Sequence, residues 1–227
     1  MSASHPAKET TVTQRLKIDF VSDVSCPWCV IGLKSLQQAV ANLEGEVTVD
    51  IHFQPFELNP TMPAEGQDIG EHLAQKYGAA PEQMAQTREA IRVRGAEFGF
   101  IFDMGARGRI YNTFDAHRLL HWAEQEGRQL ALKEALFKAY FTDGKNPGDH
   151  AVLTAAAAGV GLDATRAAQI LASDEFAQEV RAQEAFYQGN GIHAVPAVII
   201  NERHLIQGGQ PVAAFENALR RIAAEAA

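Results

Sequence analysis

Cysteine is scarce: the 227 residues hold two, at positions 26 and 29. Scattered structural disulfides are therefore excluded, and a lone close pair in a reducing compartment points to redox cycling or to half of a metal site. Basic clusters are missing as well, and the net charge is −8. A non-specific phosphate-binding surface is thereby excluded, and nucleic acid is not an expected partner. No stretch approaches the run of about eighteen apolar residues that a membrane span needs, so no membrane partner is expected. Met1 to Gln14 is small and polar and has no apolar core of the kind a secretory signal carries. It reads as a disordered tail (1–14) on a cytoplasmic protein.

The hydrophobic share is 46%, enough at this length to build a core without metals or disulfide staples. Leu16, Ile18 and Phe20 alternate with Lys17 and Asp19, the period of a strand. Asp23-Val24-Ser25 turns the chain, and Cys26 opens a helix carrying Leu33, Leu36, Val40 and Leu43 that stops near Gly45. Val47, Val49, Ile51 and Phe53 then alternate with polar residues, giving a βαβ unit whose two strands should be parallel.

From Thr61 to Gly189 strand periodicity nearly vanishes. Helices are predicted from Ile69 to a stop at Gly78, from Pro81 onward, and from an Asn112 cap through Trp122. Others follow over 130–141, over 150–158, after an Asp163 cap, and over 175–188. Phe100–Ile110 is glycine-rich and reads as irregular. Strand character returns in Ala197–Ile200 and His204–Gln207, joined by a turn at 201–203, and a terminal helix follows from Pro211. The order is βαβ, helical block, ββα. The fold class is therefore α/β: one sheet domain (15–60 and 190–227) interrupted by an all-helical insertion (61–189).

Cys26-Pro27-Trp28-Cys29 sits where the strand turns into the helix. One helical turn brings two cysteines within the roughly 7 Å between Cα atoms that a disulfide needs. The helix N-terminus favours the first as thiolate, while the second lies deeper and can resolve a mixed disulfide. Pro27 is tolerated because the first turn has no partner for its N–H. A zinc site would need two further ligands; only the i, i+4 pair His117 and His121 offers itself, with no carboxylate or thiol nearby to complete a shell, so no metal is expected. Two inert buried thiols remain the other reading, and the intervening Pro and Trp weaken it. Val195-Pro196 precedes the first hairpin strand. As a cis bond it would present the Val195 backbone for strand-like pairing with an extended substrate.

These elements, in this order, resemble the DsbA family of thioredoxin-fold oxidoreductases. Cys26-Pro27-Trp28-Cys29 matches its Cys-Pro-x-Cys, and Gly191-Ile192-His193-Ala194-Val195-Pro196 matches its loop before the hairpin. The likeness narrows to the cytoplasmic FrnE-like branch through Asp19–Asp23, through Phe56-Glu57-Leu58-Asn59-Pro60, and through Asn112–Leu120. The resemblance implies a thioredoxin fold with a helical insertion, Cys26 as exposed nucleophile and Cys29 as resolving thiol. It makes Val195-Pro196 the facing cis-proline loop and puts Asn112, Thr113 and His117 at the substrate cleft. The implied partners are a disulfide-containing protein or small-molecule thiol and a cellular thiol reductant. No cofactor is expected to be bound beyond the Cys26–Cys29 redox couple, with glutathione as a co-substrate. Hydroxychromene-carboxylate isomerases and kappa-class glutathione transferases share the insertion but put serine at the nucleophile position, where this chain has Cys26. A glutathione-linked isomerase or transferase, and a peptide-binding chaperone, are the competing functions.

Overall fold

The computed structural model describes residues 14–78 and 80–225. The expected tail, up to residue 13, lies outside the described residues; Gln14 already belongs to the first strand. Four strands form one sheet in the order β2-β1-β5-β6. β1 (Gln14–Ser22) pairs in parallel with β2 (Val47–Pro55), Ile18 opposite Ile51. It pairs antiparallel with β5 (Ala197–Ile200), which in turn pairs antiparallel with β6 (His204–Gln207). Between β1 and β2 runs helix α1 (Pro27–Asn42), which packs against the terminal helix α9 (Val212–Glu225). Leu16, Ile18 and Phe20 of β1, Leu33 and Leu36 of α1, Val198 and Ile200 of β5, and Phe215 and Leu219 of α9 are fully buried together.

Between the sheet halves lie α2 (Ile69–Tyr77), α3 (Pro81–Glu97), α4 (Phe114–Gln125), α5 (Gln129–Phe141), α6 (His150–Gly159), α7 (Ala164–Leu171) and α8 (Ala177–Gly189). Their own core joins Leu119, Leu120, Trp122, Leu132, Leu153 and Ile170. Helix α5 serves both cores: Leu132 and Leu136 face the helical one, while Phe137, Tyr140 and Phe141 face the sheet. That double burial explains its apolar residues on nearly every side. At the docking line the Gln129 side chain accepts from Phe53 N (2.8 Å) and donates to Phe53 O (3.0 Å). One amide thus satisfies both backbone groups of Phe53 on the outer edge of β2, which would otherwise be unpaired there.

Three sequence expectations need correction. Two strands of two residues each, β3 (Gln67–Asp68) and β4 (Arg109–Ile110), pair within the insertion; they are too short to show a period. Thr113, not Asn112, occupies the cap position of α4, although Asn112 Oδ1 accepts from Phe114 N at 2.9 Å. Helix α8 begins at Ala177 rather than Glu175. Phe176 stands at φ 62 with its ring on His121, and Glu175 is drawn away to pair with Arg166.

Candidate active site

The site is built where β1 hands over to α1. Asp23, completely buried, organises the turn: its Oδ1 accepts from Ser25 N (3.0 Å) and its Oδ2 from Leu58 N (2.7 Å). One carboxylate therefore locks the loop after β1 to the loop after β2. His117 Nε2 stands 3.8 Å from Asp23 Oδ1, too long for a hydrogen bond. Burial opposes ionisation of Asp23, but the imidazole beside it and the two backbone donors outweigh burial and hold the carboxyl below its ordinary range.

Cys26 caps α1 in extended conformation (φ −91, ψ 114), with Pro27 as first helical residue. The thiols are not bonded to each other. Cys26 is 4% exposed and Cys29 0%, so the expectation of an exposed nucleophile is corrected: Cys26 forms the floor of a cleft. The Cys29 thiol donates toward Cys26, and the Cys29 and Trp28 N–H groups add to it. Together they pull the Cys26 thiol below its ordinary value against burial and the Asp23 charge. Burial, and then the neighbouring Cys26 sulfur, push Cys29 well above its ordinary value. Two thiols one turn apart thus have opposite acidities.

The Val195–Pro196 bond is cis, as the sequence reading expected, and Val195 O lies 3.7 Å from Cys26 Sγ. Its seat depends on a glycine that the sequence reading missed: a Cβ on Gly32, mid-helix in α1, would stand 3.0 Å from Pro196 Cγ. A glycine inside an otherwise apolar helix is the signal for such a close approach.

A cleft of about 970 Å³ opens over Cys26, Pro27 and Trp28. Phe56, Leu58 and Asn59 form one wall, His193 to Val195 another, and α2 and α3 the third. Met84, Thr87, Arg88 and Ile91 lie on that third wall at i, i+3, i+4, i+7 spacing, with His72 and Lys76 beside them and Arg107 at the end. This wall was not recognised in the sequence, although a helical stripe mixing apolar and cationic residues is its mark. Asn112, Thr113 and His117 do not line the cleft, and that expectation is corrected. Thr113 and His117 are buried. Asn112 braces the wall from behind, donating to Glu57 Oε1 (3.1 Å) and Pro60 O (3.3 Å). Among the described residues no group of three or more His, Cys, Asp or Glu is placed to hold a metal: His117 faces Asp23, and His121 packs on Phe176.

An acidified thiol above a buried, protonated one, beside a backbone carbonyl in a cleft, can exchange disulfides in two steps. Comparison with known proteins agrees with this chemistry. In sequence the chain is 24% identical over 204 residues to the uncharacterized protein YwbO of Bacillus subtilis (strain 168), covering 89% of this chain and 94% of that protein. In structure it is similar to the "probable DsbA oxidoreductase SCO1869" of Streptomyces coelicolor, with TM-score 0.85 and 31% identity over 92% of this chain and 91% of the other. The fold also matches the cytosolic disulfide reductase DsbM of Pseudomonas aeruginosa, solved with GSH, with TM-score 0.61 and 16% identity over 91% and 98% of the two chains. Residues 17–220 match the DSBA-like thioredoxin domain, and the chain belongs to that family of thiol–disulfide oxidoreductases.

Proposed function

We propose that the chain reduces or isomerises disulfides through Cys26 and Cys29. The opposed acidities of the two thiols carry this reading. The Cys26 thiolate attacks one sulfur of a substrate disulfide, and the other sulfur leaves as a thiolate. Cys29 then attacks Cys26 Sγ, closing the Cys26–Cys29 bond and releasing the second substrate thiol. An external thiol restores the pair. The Val195 backbone beside the sulfur suits an extended substrate, and Pro27, Trp28 and Pro196 shape the approach.

The cleft favours an anionic partner. Lys76, Arg88 and Arg107 face Glu57 alone among the lining acids, so a thiol bearing carboxylates fits. Glutathione is the co-substrate we assign, in keeping with the GSH-bound Pseudomonas reductase. We place the protein in the cytoplasm and in the FrnE-like branch, with no bound cofactor. A second reading, a glutathione-linked small-molecule isomerase or transferase, is favoured by the cleft volume, which falls in the range of about 300–1,000 Å³ typical of small-ligand sites.

Cys29→Ser separates them. Under the redox reading it accumulates mixed disulfides through Cys26 in a cell extract, Cys26→Ser traps almost none, and each variant loses disulfide reductase turnover. Full activity of Cys29→Ser on a glutathione-dependent isomerisation, with no trapped disulfide, would replace the redox reading by the second.

A further inference from the structure

Lys133, in the middle of α5, is completely buried. Its ammonium group has no hydrogen-bond partner and lies 5.7 Å from the centre of the Phe53 ring and 5.2 Å from that of Phe137. A lysine is almost never buried without a pairing partner. Several charged or titratable groups face it. From α1 come Cys29 and the capping Cys26, and from the turn after β1 comes Asp23. From α4, His117 and His121 border the same narrow crevice, whereas β2 contributes only Phe53, Gln54 and Pro55, and α8 only Gln183.

We propose that Lys133 is the proton-transfer partner of Cys29, a role that rests on the disulfide-exchange reading above. In the mixed disulfide formed on Cys26, the neutral amine takes the proton from the Cys29 thiol. The Cys29 thiolate attacks Cys26 Sγ, the bond from that sulfur to the substrate breaks, and the substrate leaves as a thiolate that takes its proton from water. The products are the Cys26–Cys29 disulfide and a Lys133 ammonium. In the opposite direction an attacking thiolate takes Cys26, Cys29 departs as thiolate, and the ammonium returns the proton.

Cys29 and Lys133 are both fully buried in the layer between α1 and α5, and each acts on the other's charge. Cys29 is too weak an acid to ionise alone, held up by burial and by the Cys26 sulfur, and Lys133 is a cation that draws it back down. Burial lowers Lys133 itself to about 8, so a useful fraction is neutral near neutral pH, as a general base requires. The amine lies against two ring faces at the end of a four-carbon stem, and no hydrogen bond ties it down. The cleft side of the site has no such group for Cys29, since that sulfur is fully buried.

The test is stopped-flow reaction of the reduced full-length protein with equimolar 5,5′-dithiobis(2-nitrobenzoate) between pH 5.5 and 9.5. Attack by Cys26 releases one coloured thiolate and resolution by Cys29 releases the second, so the two steps are read separately. In the wild type the second rate should show an inflection near pH 8. Lys133→Met should leave the first release within about threefold and slow the second by about a hundredfold, with the second rate rising tenfold per pH unit throughout. Lys133→Arg keeps the charge but cannot take a proton, and should remain at least about tenfold slow. A second release within about threefold of wild type in Lys133→Met, equal slowing of both releases, full recovery in Lys133→Arg, or a wild-type profile without inflection would each overturn the assignment. The wild-type profile needs no variant to fold. A single release from the wild type would instead sink the disulfide-exchange reading itself, so the two failures are distinguishable.

Discussion

Among the described residues, no fully buried side-chain nitrogen or oxygen of the sheet or of α1 and α9 is left without a hydrogen-bond partner, whereas five in the insertion are. The orphans are Arg107 Nε, His117 Nε2, His121 Nδ1, Lys133 Nζ and Glu184 Oε1, and all five fall between β2 and β5. On the sheet side Ser35 Oγ donates to Gln210 O (2.7 Å), Asp23 takes two backbone donors, and Gln54 reaches Asp19 at 2.7 Å. An unpaired buried polar group costs about 1–3 kcal/mol, so the insertion carries a burden that the scaffold avoids. Four of the five orphans adjoin the reactive centre or its cleft. Arg107 lines the cleft; Lys133 faces Cys29 and His117 faces Asp23; Glu184 shares Arg181 with Glu57 of the cleft wall. The sheet therefore fixes where the sulfurs lie, and the insertion supplies the groups that act on them or on what enters the cleft.

That division predicts its largest stability effect where the two regions are joined. Gln129→Leu removes the amide that satisfies both Phe53 N and Phe53 O, and should destabilise the fold by about 1–3 kcal/mol for each orphaned group. Urea unfolding measures it. A loss below about 1 kcal/mol would mean that this edge does not depend on the insertion. A smaller effect should appear with pH at Asp23. Its folded value lies below the ordinary 3.8, so its stabilisation is present above the unfolded value and lost as pH falls through the lower folded one. Between pH 6 and 2.5 the wild type should lose more stability than Asp23→Asn; parallel curves would show that the carboxylate is not held as described.

Much of this was legible in the residues, and the parts that were not have physical reasons. Leu16, Ile18 and Phe20 share the face that packs under α1 and α9, while the opposite face carries exposed Lys17 and an Asp19 satisfied by Gln54, so period two survives in the sequence. Gly78 and Asp163 mark helix ends because the left-handed turn and the capping carboxylate are local requirements. The cysteine pair announced itself by spacing. The cleft wall did not, because α2 and α3 line an opening rather than a core, and a stripe such as Met84-Thr87-Arg88-Ile91 does not register as amphipathic. His117 was misplaced for the same kind of reason: a histidine in sequence says nothing of whether it faces a cavity or, as here, a buried carboxylate. Lys133 went unnoticed because a single lysine in an apolar helix ordinarily snorkels outward; only the two-sided burial of α5 prevents it.

The smallest expected effect tests whether the scaffold alone sets the redox poise. Trp28 precedes Cys29 and lines the cleft above Cys26; its N–H groups are one backbone amide, which supports the Cys26 sulfur, and an uncharged indole. The largest causes that acidify Cys26 are the Cys29 thiol and backbone amides; Lys133 acts on the same sulfur, but burial lowers its own value to about 8. The thiolate should therefore be stabilised less than in DsbA, for which values of about 3.5 for the thiol and about −120 mV for the couple are general reference points. A less stabilised reduced form is a weaker oxidant, so the wild-type potential should lie below about −180 mV, the poise of a reductase or isomerase. Trp28→His adds a donor that can carry charge beside the sulfur. Each unit by which it lowers the Cys26 value is worth about 1.4 kcal/mol, or about 30 mV for a two-electron couple, and a rise of about 30–60 mV is expected. Equilibration in glutathione buffers with thiol trapping measures both proteins. A wild-type couple near −120 mV, or a Trp28→His couple no more oxidising than wild type, would show that groups from the insertion, and not the residues at the helix end, set the potential.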